Sequence, residues 1–525
     1  MDFAARFGPA NIWIELTSKC PLRCVFCSRE NLRGEGEHMD MAMIEPILNS
    51  LDNPEIIRLN YSGESGNYPW LIEAIERTRA MTRAQVEMVT SLVSMPIETI
   101  RRLAGSGIDR ISVSLHSMDE KNFPVLYGGG TLDSFERRLE TLLQESRCQA
   151  RPPVVDFATV AMDSNLIELP RIAAMAAQGG AQLLSIHPVI RRPGVPAGFE
   201  LEADEDGSLR DTFREKLDAS VRAARDANPA MQISVARPAG SGDRKGPFTC
   251  EQNPFETVHI LSNGDVVPCE VLDREPLGNL RSSTLRDVWR GPAYRDFRDR
   301  YARCGIPECA DCIFRTPATR IGAARALWGW HDRDESGTLW SRTTASFECD
   351  PSGSDVLVLT GVLPPGPQSN RLEFLRDGEE IAAVKNDTGE PLPFRVALPL
   401  AETSQVNRFV TQVEHGFSPW RRGLSNDARE LGFALESAEL ASRNTPLCST
   451  VRSTAKSGQV LKRNAADVLL KALEPLQRLA AIPPTIAAGS PPLWPEDSLG
   501  VIIPERGNEP LLLDCMAALD VALKG

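Results

Sequence analysis

The cysteines offer the most chemistry in this chain. There are 12, unevenly spread. Cys20, Cys24 and Cys27 form one group, and Cys250, Cys269, Cys304, Cys309 and Cys312 a second; Cys148, Cys349, Cys448 and Cys515 stand apart. Met1 to Pro9 carries Asp2 and Arg6 and no apolar signal core, so the expected location is the cytoplasm. Thiols stay reduced there, and tight cysteine groups point to metal rather than to disulfides. The first group is spaced C-x3-C-x2-C, a poor fit to structural zinc, which takes four ligands. The nearest histidine, His38, lies eleven residues beyond Cys27. Three thiolates on a four-iron cluster would leave one iron open to a chelating cofactor.

Those residues must sit at the mouth of something, and the flanking pattern suggests what. Short apolar runs at Ile12–Leu16, Ile57–Tyr61, Val86–Ser91, Arg110–Leu115, Val154–Ala161 and Leu183–Pro188 alternate with helical patterns at Trp70–Ala80, Ile97–Ala104, Leu132–Leu143 and Leu166–Ala177. Such alternation predicts an α/β fold with a parallel sheet and right-handed crossovers, a partial (β/α)6 TIM-like barrel over residues 1–235. Ligands then collect at the C-terminal ends of the strands, where Cys20 follows the first run.

Cys20-Pro-Leu-Arg-Cys24-Val-Phe26-Cys27 resembles the radical S-adenosylmethionine (SAM) superfamily, whose signature is C-x3-C-x-aromatic-C. The resemblance implies a [4Fe-4S] cluster on Cys20, Cys24 and Cys27, SAM chelated to the open iron, and Phe26 against the adenine. It also implies reductive cleavage of SAM to a 5′-deoxyadenosyl radical, with electrons from a flavodoxin- or ferredoxin-like partner. Ser62-Gly63-Glu64 after the second run looks like the family's Gly-Gly-Glu motif with Ser62 in place of the first glycine, and Glu64 then accepts from the SAM ammonium. Ser112-Val-Ser114-Leu-His116 is similar to the fourth strand of that family, which implies Ser114 near SAM. His116 departs from the usual acid, and a lone histidine near a strand end is more often a satisfied structural residue. The arginine that some relatives carry about a dozen residues later is absent.

The second group surrounds a predicted hairpin: Val258–Leu261, a Ser262-Asn263-Gly264-Asp265 turn, then Val266–Val267. Two thiols brought together by a hairpin and two by C-x2-C make a four-sulfur site, suited to zinc or to an iron–sulfur cluster. C-x13-G-x4-C, Gly278-Asn279 and the closing Cys309/Cys312 pair resemble the SPASM/twitch extension of radical SAM enzymes. That implies one auxiliary [4Fe-4S] cluster on Cys250, Cys269, Cys309 and Cys312 within residues 236–325, with Cys304 spare.

Residues 326–445 lose helical periodicity and carry short alternating strands, which predicts an antiparallel β-sandwich. Trp330, Trp340 and Trp420 would stack on sugar rings or fill its core. Residues 446–497 read as a helical and Pro/Ala-rich linker. Residues 498–525 resemble the truncated start of a GT-A glycosyltransferase.

The net charge of −13 argues against nucleic acid, and no apolar run is long enough to span a membrane. The expected function is a radical SAM enzyme abstracting hydrogen from a small molecule, a sugar or glycan precursor, or a peptide. The alternative is an Fe-S or zinc-bearing scaffold that recruits a glycosyltransferase to glycan. No residue is singled out as a catalytic acid or base.

Overall fold

A computed structural model describes residues 8–27, 34–51, 54–189, 211–236, 248–250, 252–310, 312, 315–331, 338–400, 406–417 and 431–441. The predicted linker and the glycosyltransferase-like segment, with Cys448 and Cys515, lie outside the described residues, as does Trp420.

Strands β1 (Asn11–Ile14), β2 (Ile56–Arg58), β3 (Gln85–Thr90), β4 (Arg110–Ser114), β5 (Val154–Ala161), β6 (Leu183–Pro188) and β7 (Gln232–Val235) run parallel, each beside the next. The connections carry helices α1 (Ile44–Asn49), α2 (Leu71–Met81), α3 (Ile97–Ala104), α4 (Asn122–Tyr127), α5 (Leu132–Arg147), α6 (Leu169–Gly179) and α7 (Asp211–Ala227). Their sequence dictates the packing. In α5, Leu132, Phe135, Leu139 and Leu142 recur at three- and four-residue steps and are buried, while Thr131 caps the first turn by accepting from Ser134 N. Gly128 stops α4 in the left-handed conformation, at φ 63°. Ile12, Ile57, Val86, Ile111 and Leu184 contribute to one core under these helices.

The six expected strands are all present, and β7 is one more. Its four residues, Gln232 to Val235, alternate in burial too briefly for periodicity to reveal them.

The hairpin of the second cysteine group is part of the same sheet. After β8 (Phe248–Cys250), β9 (Thr257–Ile260) pairs in parallel with β1, opposite β2, and β10 (Asp265–Val267) and β11 (Gly278–Asn279) continue outward antiparallel. The result is a ten-stranded path with two ends, β11 and β7. Helices α8 (Leu285–Arg290) and α9 (Pro292–Ala302) follow, and β12 (Arg315–Pro317) returns to pair with β8.

Beyond lies a nine-stranded antiparallel sheet: β13 (Arg320–Ile321), β14 (Ala324–Trp330), β15 (Leu339–Cys349), β16 (Val356–Leu363), β17 (Asn370–Arg376), β18 (Glu379–Asn386), β19 (Leu392–Pro399), β20 (Asn407–Val413) and β21 (Ala434–Ala441). The long β15 pairs with β20 through Thr344–Cys349 and with β21 through Leu339 and Trp340, so it belongs to two strand groups. Phe347, Phe374 and Phe409 of one group and Leu357, Phe394 and Leu435 of the other share a single core. Trp340 is buried, and Trp330 packs edge-on to Phe433 while donating from Nε1 to Ser346 O at 2.7 Å. Trp340 thus lies in the interior, and Trp330 is half-buried against the core. Arg342 joins this sheet to the α/β part through Glu55 and Glu256.

Candidate active site

The Cys20–Cys27 loop leaves the C-terminal end of β1, and neighbouring backbone holds it in shape. Arg23 N and Val25 N donate to Tyr127 O and Leu126 O at the end of α4, both at 3.1 Å, and Cys27 N donates to Cys24 O at 3.0 Å. Burial, then the neighbouring thiols of Cys27 and Cys20 and the carboxylate of Glu64, push the Cys24 thiol up. Cys24 therefore feels both neighbouring thiols. Among the described residues, no three His, Cys, Asp or Glu side chains close around a single metal ion.

The Ser62-Gly63-Glu64 turn lies against this loop. Glu64 N donates to Lys19 O at 3.0 Å. A Cβ on Gly63 would sit 2.1 Å from Thr17 O, so only glycine permits the approach. Glu64 itself is buried and heavily used. Oε1 accepts from Gly66 N at 3.1 Å and Thr90 Oγ1 at 2.7 Å; Oε2 accepts from Ser91 N at 2.8 Å and Ser91 Oγ at 2.6 Å. A carboxylate offers about four acceptor positions, and these four donors occupy them. The side chain thus ties the turn after β2 to the end of β3.

The β4 end is organised by Tyr127, which sequence reasoning missed. Its hydroxyl donates to Ser114 O at 2.7 Å and accepts from His116 N at 3.2 Å. His116 Nδ1 accepts from Val160 N at 3.1 Å, and burial lowers its pKa to about 3. It is a neutral, structural histidine with its ring edge-on to Phe26 at 4.6 Å. Phe26 in turn packs with Val25 and Val160 against Leu126, Met162 and Val189, an apolar patch beside the cysteine loop.

Glu15 was also missed. It stands in the otherwise apolar Ile12-Trp-Ile-Glu-Leu16 run and is only 1% exposed. A charged residue inside an otherwise apolar run, directly after β1, is the signal that could have exposed it.

In the second group, Cys250, Cys269, Cys309 and Cys312 line one small cavity together with Pro268, Leu272, Phe297 and Tyr301. The hairpin delivers Cys269, the β8–β12 pair Cys250, and the segment after α9 the last two. Burial raises Cys269 to about 11, opposed by the backbone N–H groups of Leu272 and Val271. Burial and the Cys312 thiol raise Cys309 to about 12. Tyr301 Oη lies 3.2 Å from Cys250 Sγ. Cys304 is exposed, has a left-handed backbone at φ 54°, and lines a different cleft with Trp328 and Arg408.

Thiols gathered at two places, one group of three with Cys27 exposed and one group of four half-buried, suit thiolate-bound clusters by donor type and count. Residues 14–163 match the radical SAM superfamily, and residues 250–313 match SPASM, an iron–sulfur cluster-binding domain. The chain is a radical SAM enzyme with a SPASM domain. These domains indicate a SAM-binding [4Fe-4S] cluster and an auxiliary Fe-S cluster. A PqqA peptide cyclase of Gluconobacter oxydans is 24% identical over 299 residues, 55% of this chain and 79% of the relative. The tungsten-containing aldehyde ferredoxin oxidoreductase cofactor-modifying protein of Pyrococcus furiosus is 21% identical over 353 residues, covering 63% and 95%. Among solved structures, Streptococcus suis SuiB bound to S-adenosylmethionine aligns with TM-score 0.43 and 16% identity, over 55% of this chain and 68% of that one. The expected sugar or glycan substrate finds no support in these relatives, and the scaffold alternative is not favoured. Among the described residues, no helix of this radical SAM enzyme is long and apolar enough to cross a membrane.

Proposed function

We propose that this radical SAM enzyme modifies a peptide, with Cys20, Cys24 and Cys27 holding the SAM-bound cluster and Cys250, Cys269, Cys309 and Cys312 a single auxiliary [4Fe-4S] cluster. The observation that carries the assignment is the meeting of four thiols, drawn from three separate segments, in one cavity. The relatives named as PqqA peptide cyclases are the reason for choosing a peptide substrate. Bound together, the cluster and SAM supply the 5′-deoxyadenosyl radical.

The chain's own residues bind and orient. Phe26 and its apolar neighbours offer a surface for the adenine. Gly63 lets the turn after β2 approach the cysteine loop, and Ser62 and Ser114 flank the mouth from β2 and β4. Glu64 acts by holding that turn to Thr90 and Ser91; with its acceptor positions filled, it orients the SAM-binding backbone rather than taking the SAM ammonium alone. An electron carrier of the flavodoxin or ferredoxin class would supply the reducing electron, and the cytoplasm would provide the compartment. We divide the chain into a barrel (1–235), an auxiliary-cluster domain (236–325) and a sandwich (326–445); the sandwich reading is supported by Phe374, which packs edge-on against Phe394 of the other strand group.

Anaerobic reconstitution followed by iron counting and a reductive SAM-cleavage assay tests the assignment. Replacing Cys20, Cys24 and Cys27 together by alanine should abolish 5′-deoxyadenosine release while the protein stays folded, because these residues lie in a loop. Continued release would reject it.

A further inference from the structure

Glu15 joins three parts of the molecule at one carboxylate. Its Oε1 accepts from Ser62 Oγ and, at 3.3 Å, from Ser62 N; Oε2 accepts from Ser262 N and Ser262 Oγ, both at 2.9 Å. Ser262 opens the turn of the β9–β10 hairpin, and its Oγ also lies 3.1 Å from Ser18 Oγ, two residues before Cys20. Glu15 N donates to Ile260 O at 2.8 Å, so backbone and side chain grip the same hairpin. One oxygen thus serves the Ser62-Gly63-Glu64 turn, the other serves the SPASM hairpin, and the backbone between them runs straight into the cysteine loop.

Ser62 gives the arrangement its specificity. A glycine there would offer only its backbone N–H, whose contact is the longest of the four. The serine adds a hydroxyl aimed at Glu15.

We propose that Glu15 is a positioning residue through which the SPASM hairpin holds the SAM-binding turn in register with the cysteine loop. A strained or displaced hairpin then loosens SAM without touching it, and SAM binding tightens the hairpin in return, since coupling between two sites is reciprocal. The inference rests on the reading that the Cys20–Cys27 loop and the Ser62-Gly63-Glu64 turn form the SAM site.

The test uses the reconstituted full chain and SAM itself, with affinity measured by calorimetry and by the SAM-induced change in the cluster EPR signal. Wild-type protein that carries iron at Cys20, Cys24 and Cys27 but shows no SAM-induced EPR change would reject the underlying site reading before any variant is made. Given that change, Ser262→Ala should weaken SAM binding about tenfold, as expected for one lost hydrogen bond to a charged group. Iron content should be unaltered, and Ser262→Thr, which keeps the hydroxyl, should restore affinity. In a Glu15→Ala background, Ser262→Ala should add no further weakening, because its effect passes through the carboxylate. Three results overturn the proposal: unchanged SAM affinity in Ser262→Ala, equal weakening in both backgrounds, or iron lost in proportion to SAM binding.

Discussion

The Tyr301 hydroxyl lies 3.2 Å from the sulfur of Cys250, at the wall of the cavity where four cysteines meet. Hydrogen bonds to cluster sulfurs help set reduction potential by stabilising the more negative, reduced form. Tyr301→Phe removes this bond and leaves the ring, which packs on Phe248. The auxiliary cluster's midpoint potential should fall by roughly 40 mV, the equivalent of about 1 kcal/mol for one electron. EPR-monitored redox titration reads the shift, and an unmoved potential removes Tyr301 from the cluster environment.

Iron content separates the cysteines of the second group. Reconstituted protein should hold about eight irons per chain, four at each site. Cys304→Ala should leave that count unchanged because Cys304 is exposed and lines another cleft. Cys269→Ala should remove about four. Zinc at the second site with only four irons in total would contradict the auxiliary-cluster assignment.

Gly63→Ala tests the contact between the SAM-side turn and the cysteine loop. The added Cβ would meet backbone, Thr17 O at 2.1 Å and Lys19 O at 2.7 Å, which no side-chain rotation relieves. Overpacking of this kind costs about 1–3 kcal/mol. Thermal unfolding should show that loss, and SAM affinity should fall with it. An alanine variant of wild-type stability and affinity would mean that the turn does not rest on the loop.

Glu64→Gln replaces one buried acceptor oxygen with an amide N–H₂, which cannot accept from Ser91 or Thr90. Losing hydrogen bonds to a charged group costs about 1.5–3 kcal/mol each. Stability should therefore fall together with SAM affinity, since the turn is released from β3. If affinity falls tenfold or more with stability intact, Glu64 contacts SAM directly.

The parallel strands were legible because β5 and β6 are largely apolar runs, and the hairpin because Asn263-Gly264 marks its turn. The cysteine groupings were legible from spacing alone. Residues that act by holding others were not. Tyr127 reaches Ser114 from thirteen positions away and Glu15 reaches Ser262 across 247, and neither relation leaves a local pattern. The longest described strand, Leu339–Cys349, was also missed, because its middle residues Arg342, Thr343 and Thr344 interrupt the apolar alternation where the strand passes between groups.

The pairing of β9 with β1 sets a limit on modularity. β1 is an interior strand only because the hairpin covers it, so the SPASM segment is part of the same sheet rather than a bead on a string. A chain cut before Phe248 would lay bare the hydrogen-bonding groups of Asn11–Ile14, a short apolar edge inviting another chain to add to it. Transplanting the radical SAM portion alone into a chimera should therefore give aggregates, whereas a cut after Pro317 keeps the edge sealed. Any exchange of auxiliary domains between related enzymes must carry its own replacement for β9.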